Sequence, residues 1–208
     1  MGGVLHLRPV ALDRGRTSHY SGVMAPNTDR RRPQLTAFRL AGWGVAAALV
    51  LLPFVAMQFT DEVRWSVFDF IVAGVLVGGV GVLYELAVRS TPNWAYRAAV
   101  ALALAAAFLL VWLNLAVGII GSENNPANLM YGGVLVVGTG GALLARFQPM
   151  GMSRALVASA VCLGMVAGVA LAVDSVAGAV LTAGFAAMCL GSAWLFRRGA
   201  GERASAAS

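Results

Sequence analysis

The chain contains six blocks of apolar residues, each close to the length at which one helix crosses a bilayer, and these blocks limit its fold more than any other feature. About 20 consecutive apolar residues span the roughly 30 Å of hydrocarbon in a membrane. Only 12% of the 208 residues are charged, against about a quarter in an ordinary soluble domain. We therefore predict an all-α fold, a polytopic transmembrane helix bundle with six spans. The spans are expected at about Phe38–Met57, Phe70–Val88, Ala98–Ile120, Leu129–Ala145, Ala155–Val173 and Val176–Phe196.

The arginines indicate how the spans are oriented. All 15 basic residues are arginine, and all but Arg64 fall on one side of the predicted membrane. Because an excess of positive charge marks the cytoplasmic side, we expect a multi-pass inner-membrane protein with both termini in the cytoplasm. A composition without lysine and rich in alanine and glycine is typical of a GC-rich bacterial genome. Since topology accounts for the net charge of +6, we expect the lipid bilayer as a partner and no nucleic acid.

Both ends of the chain are predicted to be disordered cytoplasmic tails. Residues 1–36 are polar and lack the apolar periodicity of a packed domain. Met24 opens a segment that is typical of a natural start, so residues 1–23 are either an extension from an upstream start codon or part of the native tail. Residues 37–197 form the predicted six-helix transmembrane domain, and residues 198–208 form the second tail.

Two cytoplasmic turns share one pattern, in which Arg89, Pro92 and Arg97 match Arg146, Pro149 and Arg154 in spacing. One interpretation is a duplication that gives three sequential antiparallel helical hairpins. The other is convergence, which we favour, because proline starts helices and arginine marks the inner side of a membrane. The fifth and sixth spans are separated by little more than two residues and must form a tight antiparallel pair.

Polar residues within the spans are the first candidates for function, because hydrocarbon makes them costly. Glu85 precedes Arg89 by four residues, so an ion pair at a membrane boundary is the favoured interpretation over proton relay or substrate binding. Asn114 could hydrogen-bond a neighbouring helix, with Asp69 as a plausible partner, or form part of a permeation site. Thr139 stands in a glycine cluster that either unwinds its helix, as in some transporters, or permits close helix packing, which is commoner.

The loop of residues 121–128 combines a carboxylate with carboxamides on the side opposite to the arginines. One interpretation is a site for a hard cation such as calcium, which prefers oxygen ligands. The favoured one is a turn and cap sequence that satisfies backbone groups between the third and fourth spans. The candidate residues of the loop are Glu123, Asn124, Asn125 and Asn128, and the acidic residues expected on the same side are Asp61, Glu62, Asp69 and Asp174.

The sequence gives no catalytic, metal-binding or cofactor-binding set, and we expect no enzyme activity and no cofactor. Cys162 and Cys189 lie in apolar blocks and are interpreted as buried thiols rather than a redox or metal pair. Both histidines fall within the first 23 residues. Small residues at four-residue spacing allow close helix contacts, within the bundle, with a second copy or with another subunit. These pairs are Gly74 with Gly78, Gly164 with Gly168, and the series Ala183, Ala187 and Gly191.

Three functions remain open on the sequence alone. The favoured one is a non-enzymatic subunit or scaffold of a membrane complex, because small-residue packing is abundant and intramembrane charge is scarce. A small-solute transporter or channel is the alternative, although such sites gather several polar groups near the midplane. A membrane enzyme is the third, and it would need a nucleophile with a base, a metal set or an acid pair.

Four segments carry a resemblance to a known group of proteins: Gly118–Tyr131, Ala145–Arg154, Phe68–Phe70 and Tyr84–Leu86. In these segments the chain resembles a family of small proteobacterial inner-membrane proteins with six predicted spans and no assigned activity. The resemblance extends over most of the chain beyond Thr36. It implies the fold and the location, and it implies no reaction, substrate or partner.

Overall fold

The described part of the chain is helical, which confirms the predicted all-α class. The structure is a computed structural model, and it describes residues 31–60, 64–122 and 124–205. Strands are absent from these residues. The helices are α1 (Arg31–Ala56), α2 (Val67–Ser90), α3 (Trp94–Ala116), α4 (Met130–Leu144), α5 (Pro149–Ala172) and α6 (Val176–Ser205), with a short 3-10 turn over Pro126–Leu129 before α4.

Five helical segments are long and apolar enough to cross a membrane, as judged by length and composition: Val67–Ser90, Trp94–Ala116, Pro126–Leu144, Pro149–Ala172 and Val176–Glu202. The apolar part of α1, Leu40–Ala56, is shorter than these five. The chain therefore has the helices of a polytopic membrane protein, and the sixth span stays a prediction.

The helix ends differ from the predicted boundaries at both tails. Helix α1 begins at Arg31, within the segment predicted as a disordered tail, and the rest of that segment lies outside the described residues. Helix α6 continues past the predicted last span to Ser205. The residues after Phe196 include alanine, arginine and glutamate, which favour helix whether or not lipid surrounds them, so the apolar pattern ends before the helix does.

Capping side chains and a proline explain where three of the helices begin. Ser66 caps α2, accepting a hydrogen bond from the Asp69 amide at 3.3 Å while the Asp69 carboxylate accepts one from the Ser66 amide at 2.7 Å. Asn93 caps α3 by accepting from the Tyr96 amide at 2.8 Å. Such caps satisfy amide groups that have no partner inside the helix. Pro149 at the first position of α5 needs no such partner.

The chain divides into two units, residues 1–42 and residues 43–208. In the first unit, residues 31–42 form the first turns of α1. In the second unit, α5 packs along α6, α6 also packs along α3, α4 packs on α5, and α2 packs on α3. Helices α3 and α4 have little contact with each other although they are consecutive. Three sequential hairpins would require that contact, so the hairpin arrangement is not confirmed.

Contacts in the second unit show which helix ends lie together. The Ser192 hydroxyl donates to the Ala99 carbonyl at 2.7 Å, and the Arg197 guanidinium donates to the Ser153 hydroxyl at 2.9 Å. The starts of α3 and α5 therefore lie beside the end of α6. The ends of α2 and α4 join them through hydrogen bonds to α3. We name this end of the unit the arginine end; its arginines are Arg89, Arg97, Arg146, Arg154, Arg197 and Arg198.

Much of the surface of the second unit is apolar. Leu144 is 88% exposed and Leu129 is 79% exposed, and many other leucines and valines along the helices are also exposed. The buried core lies among α3, α4, α5 and α6 around Tyr131 and Leu163. A protein in water would bury such side chains, whereas lipid tails accept them. The exposure pattern is that of a bundle whose solvent is hydrocarbon.

Candidate functional site

Asn128 organises the loop between α3 and α4. Its side chain is buried, with an exposed fraction of 4%. The Asn128 Oδ1 atom accepts hydrogen bonds from the amides of Ile119 at 3.1 Å and Ile120 at 2.9 Å, and Nδ2 donates to the carbonyls of Ser122 at 2.7 Å and Ile120 at 3.4 Å. One carboxamide thus satisfies four backbone contacts in a segment that makes no regular helix. The hydrogen-bonding groups of the Asn128 side chain are therefore already used within the loop.

The rest of this loop also has the geometry of turns and caps. Asn125 accepts a hydrogen bond from the Ala127 amide at 3.0 Å, which starts the 3-10 turn. Gly118 and Gly121 adopt φ angles of 67° and 73°, a region that glycine enters without strain. Asn124 is exposed, and Glu123 lies outside the described residues.

A cation site in this loop receives no support from the described part of the chain. Within it, no group of three histidine, cysteine or acidic residues lies close enough to hold a metal ion. The predicted ligands Asp61, Glu62 and Glu123 lie outside the described residues. The oxygens of Asn125 and Asn128 already accept backbone hydrogen bonds. The turn and cap interpretation fits these two residues.

Asn114 lies beside this loop and does not contact Asp69, so the expected pairing of these two side chains is wrong. The Asn114 Nδ2 atom is 3.5 Å from the Asn128 carbonyl oxygen. Its Oδ1 atom is buried and has no hydrogen-bond partner among the described residues. Asp69 is instead held by Ser66 in the cap of α2. Cap chemistry within one helix satisfied the carboxylate locally, and no contact across helices was needed.

Glu85 and Arg89 form the ion pair that their spacing predicts. The Arg89 Nε atom is 2.9 Å from Glu85 Oε1, and the two side chains are 65% and 18% exposed, respectively. The pair lies on the last turns of α2, at the arginine end.

Thr139 is exposed on α4, within a helix that runs without a break from Met130 to Leu144. Helix α4 is therefore not unwound at Thr139 in this structure, and two of the neighbouring glycines lie close to α5. A Cβ atom added to Gly141 would lie 2.6 Å from the Ala155 Cβ atom, and one added to Gly138 would lie 3.0 Å from the Ser159 hydroxyl oxygen. These glycines let α4 approach α5 closely.

The predicted polar residues do not share one site. Asp69 lies at the start of α2, Glu85 lies near its end, and Asn114 lies beside the α3–α4 loop. None of these three lines the cavity described next. A transport site would bring such groups together at the midplane, and this arrangement separates them.

A groove of about 560 Å³ lies where α3 and α4 fail to meet, and the sequence analysis did not predict it. Its walls come from all five candidate spans. Leu104, Ala107 and Leu163 are typical of its lining, with the hydroxyls of Tyr96 and Thr139 among its few polar groups.

The buried polar groups near this groove are paired. The Tyr131 and Thr182 hydroxyl oxygens are 2.6 Å apart, and Thr182 also donates to the Gly178 carbonyl at 2.6 Å. Both side chains are nearly inaccessible. They fasten α4 to α6 in the core.

Comparison of the chain with protein-family models, curated proteins and solved structures finds no match.

Proposed function

We propose that this chain is a six-span protein of a bacterial inner membrane, with both termini in the cytoplasm, and that it acts as a non-enzymatic subunit or scaffold of a membrane complex. The resemblance to small proteobacterial inner-membrane proteins supports the location. The collection of six arginines at one end of the bundle supports the orientation.

The observation that carries the scaffold role is an unused helix face. Among the described residues, a Cβ atom added to Gly164 or Gly168 on α5 would meet no atom of another helix or loop within 4 Å, and the same holds for Gly74 and Gly78 on α2. Close contacts inside the bundle use other glycines, such as Gly141. In lipid, small residues at four-residue spacing drive association because they let backbones approach. A face of this kind on α5 is suited to another helix.

Solute transport is less well supported, because the ionisable and carboxamide side chains lie apart from the groove. The proposal assigns no reaction to the chain.

The test is co-purification from the native membrane in mild detergent, with mass spectrometry of the particle and of its partners. The wild-type chain should bring down a stoichiometric partner or a second copy. The double variant Gly164→Leu with Gly168→Leu should lose that partner while keeping its helix content and melting behaviour, since no other described element packs against these positions.

The double variant Gly133→Leu with Gly140→Leu on α4 is the matched control, because a Cβ atom at either position also meets no atom of the described residues within 4 Å. It adds the same two side chains at positions without the four-residue spacing and should keep the partner. A wild-type chain that purifies as a lone monomer would contradict the scaffold proposal and direct attention to solute-uptake assays with Glu85 and Asn114 variants.

A further inference from the structure

We propose that the groove between α3 and α4 holds one acyl chain of a membrane lipid with an anionic headgroup, and that the headgroup phosphate lies beside Arg146. This inference goes beyond the scaffold role, because it assigns a ligand class to a cavity that a scaffold does not need.

The lining of the groove selects hydrocarbon. No carboxylate or guanidinium is among its lining residues. Its hydroxyls are largely used by backbone carbonyls: Ser90 donates to Ala87 at 2.9 Å, Tyr96 to Phe147 at 3.1 Å and Ser159 to Ala155 at 3.1 Å. A polar solute would lose its hydration and find few partners, whereas an alkyl chain loses nothing.

The dimensions of the groove fit one extended chain. Along α3 it runs from Tyr96 to Leu110, which is about 21 Å at 1.5 Å per residue. One leaflet contributes about half of the roughly 30 Å of hydrocarbon, so the groove is long enough to hold a lipid tail over the full depth of one leaflet.

The groove is open to the side that lipid would occupy. Its rim includes Leu83 and Leu86 on α2, which are 49% and 57% exposed, and Leu143 on α4, which is 60% exposed. Water does not fill an apolar space of this kind. In a bilayer the nearest molecule able to fill it is a lipid, which can enter sideways without leaving the membrane.

The groove reaches the arginine end at Tyr96 and Phe147, and Arg146 lies next to that mouth. Arg146 and Phe147 have φ angles of 48° and 58°, the left-handed region that bulky side chains rarely adopt. The amide of Phe147 donates to the Ala142 carbonyl at 3.2 Å, and its carbonyl accepts from the Tyr96 hydroxyl. These bonds hold the strained turn in place, with Phe147 on the groove wall and Arg146 exposed beside it.

The guanidinium of Arg146 is available to a ligand, in contrast to those of Arg89 and Arg97. Arg89 is paired with Glu85, and Arg97 donates to two backbone carbonyls at 2.8 Å. Arg146 forms no hydrogen bond or ion pair within the part of the chain that the structure describes. A guanidinium at the end of an apolar groove complements a phosphate whose tail fills that groove.

The test is native mass spectrometry of the full chain in mild detergent, with added phosphatidylglycerol or phosphatidylcholine of identical tails. The wild type should retain one lipid and prefer phosphatidylglycerol. Thr139→Phe and Ala103→Phe place a ring in the groove from opposite walls, and each should lower lipid retention by about tenfold, the factor expected when roughly two buried methylenes lose their contacts. Val136→Phe is the matched control on the same helix, because Val136 is 71% exposed and does not line the groove.

A separate variant tests the assignment of the headgroup to Arg146. Arg146→Gln should keep the lipid and lose the preference for phosphatidylglycerol, while Arg64→Gln, which removes a charge outside the arginine end, should keep the preference. A wild type without bound lipid, or equal retention by Val136→Phe and both groove-filling variants, would overturn the proposal. Unchanged selectivity in Arg146→Gln would overturn the headgroup assignment. Melting curves identify any variant that fails to fold, and the other groove-filling variant then decides. Lipid binding is measured on the isolated chain, so its outcome is independent of whether a protein partner exists.

Discussion

Replacing Asn128 with alanine tests whether one buried carboxamide holds the α3–α4 loop. The substitution removes the acceptor of two amides, those of Ile119 and Ile120, and the donor to two carbonyls. Both isoleucines are nearly inaccessible, with exposed fractions of 4% and 0%, so water does not readily replace the lost partner. Each buried group left without a hydrogen bond costs about 1–3 kcal/mol. Because the loop can relax in part, we expect a loss of about 3–5 kcal/mol in the free energy of unfolding.

The assay is thermal or denaturant unfolding of the purified chain in one detergent, with two neighbouring asparagines as controls. Asn125→Ala removes one cap hydrogen bond and should cost about 1 kcal/mol. Asn124→Ala changes an exposed side chain and should stay within about 0.5 kcal/mol of the wild type. The loss should therefore be largest for Asn128, smaller for Asn125 and smallest for Asn124. An Asn128 variant as stable as the Asn124 variant would refute the reasoning.

Two further predictions concern contacts between helices. Gly141→Ala should lower the free energy of unfolding by about 1–3 kcal/mol, because the new methyl group would lie 2.6 Å from the Ala155 Cβ atom. Gly140→Ala places a methyl group in open space and should not destabilise the fold. Equal unfolding midpoints for the two variants would contradict this account. Thr182→Val should cost about 1–3 kcal/mol by leaving the buried Tyr131 hydroxyl without its partner. Adding Tyr131→Phe to that variant should recover part of the loss, and strictly additive effects in a double-mutant cycle would argue against the pair.

Features confined to one helix could be predicted from the sequence. Glu85 and Arg89 lie four residues apart, and any α-helix brings such side chains together whatever surrounds it. The apolar runs also predicted α2, α3 and α5, since length and composition alone decide whether a helix can span hydrocarbon. The predicted tight turn between the last two spans is present, with Asp174 at a φ angle of 57°.

Features that depend on which helix faces which could not be predicted. Gly164 and Gly168 have the same four-residue spacing as the other pairs of small residues. That spacing did not show that the helix packing leaves these two glycines uncovered while Gly141 lies against Ala155. The groove between α3 and α4 could not be predicted for the same reason. It lies where these two consecutive helices pack against other helices rather than against each other. Asn114 was assigned to the wrong neighbour because a carboxamide can accept or donate to almost any polar group within reach.

The central claim is that these helices cross the membrane with the arginine end on the cytoplasmic side, and cysteine accessibility tests it most directly. In a background with Cys162→Ala and Cys189→Ala, one cysteine is placed at exposed Asn124 in the loop between α3 and α4 or at exposed Gln148 in the turn between α4 and α5. The account predicts that a membrane-impermeant maleimide labels the Asn124→Cys chain in intact spheroplasts and labels the Gln148→Cys chain only after the membrane is opened. Equal labelling of both chains in intact spheroplasts, or the reverse order, would contradict it.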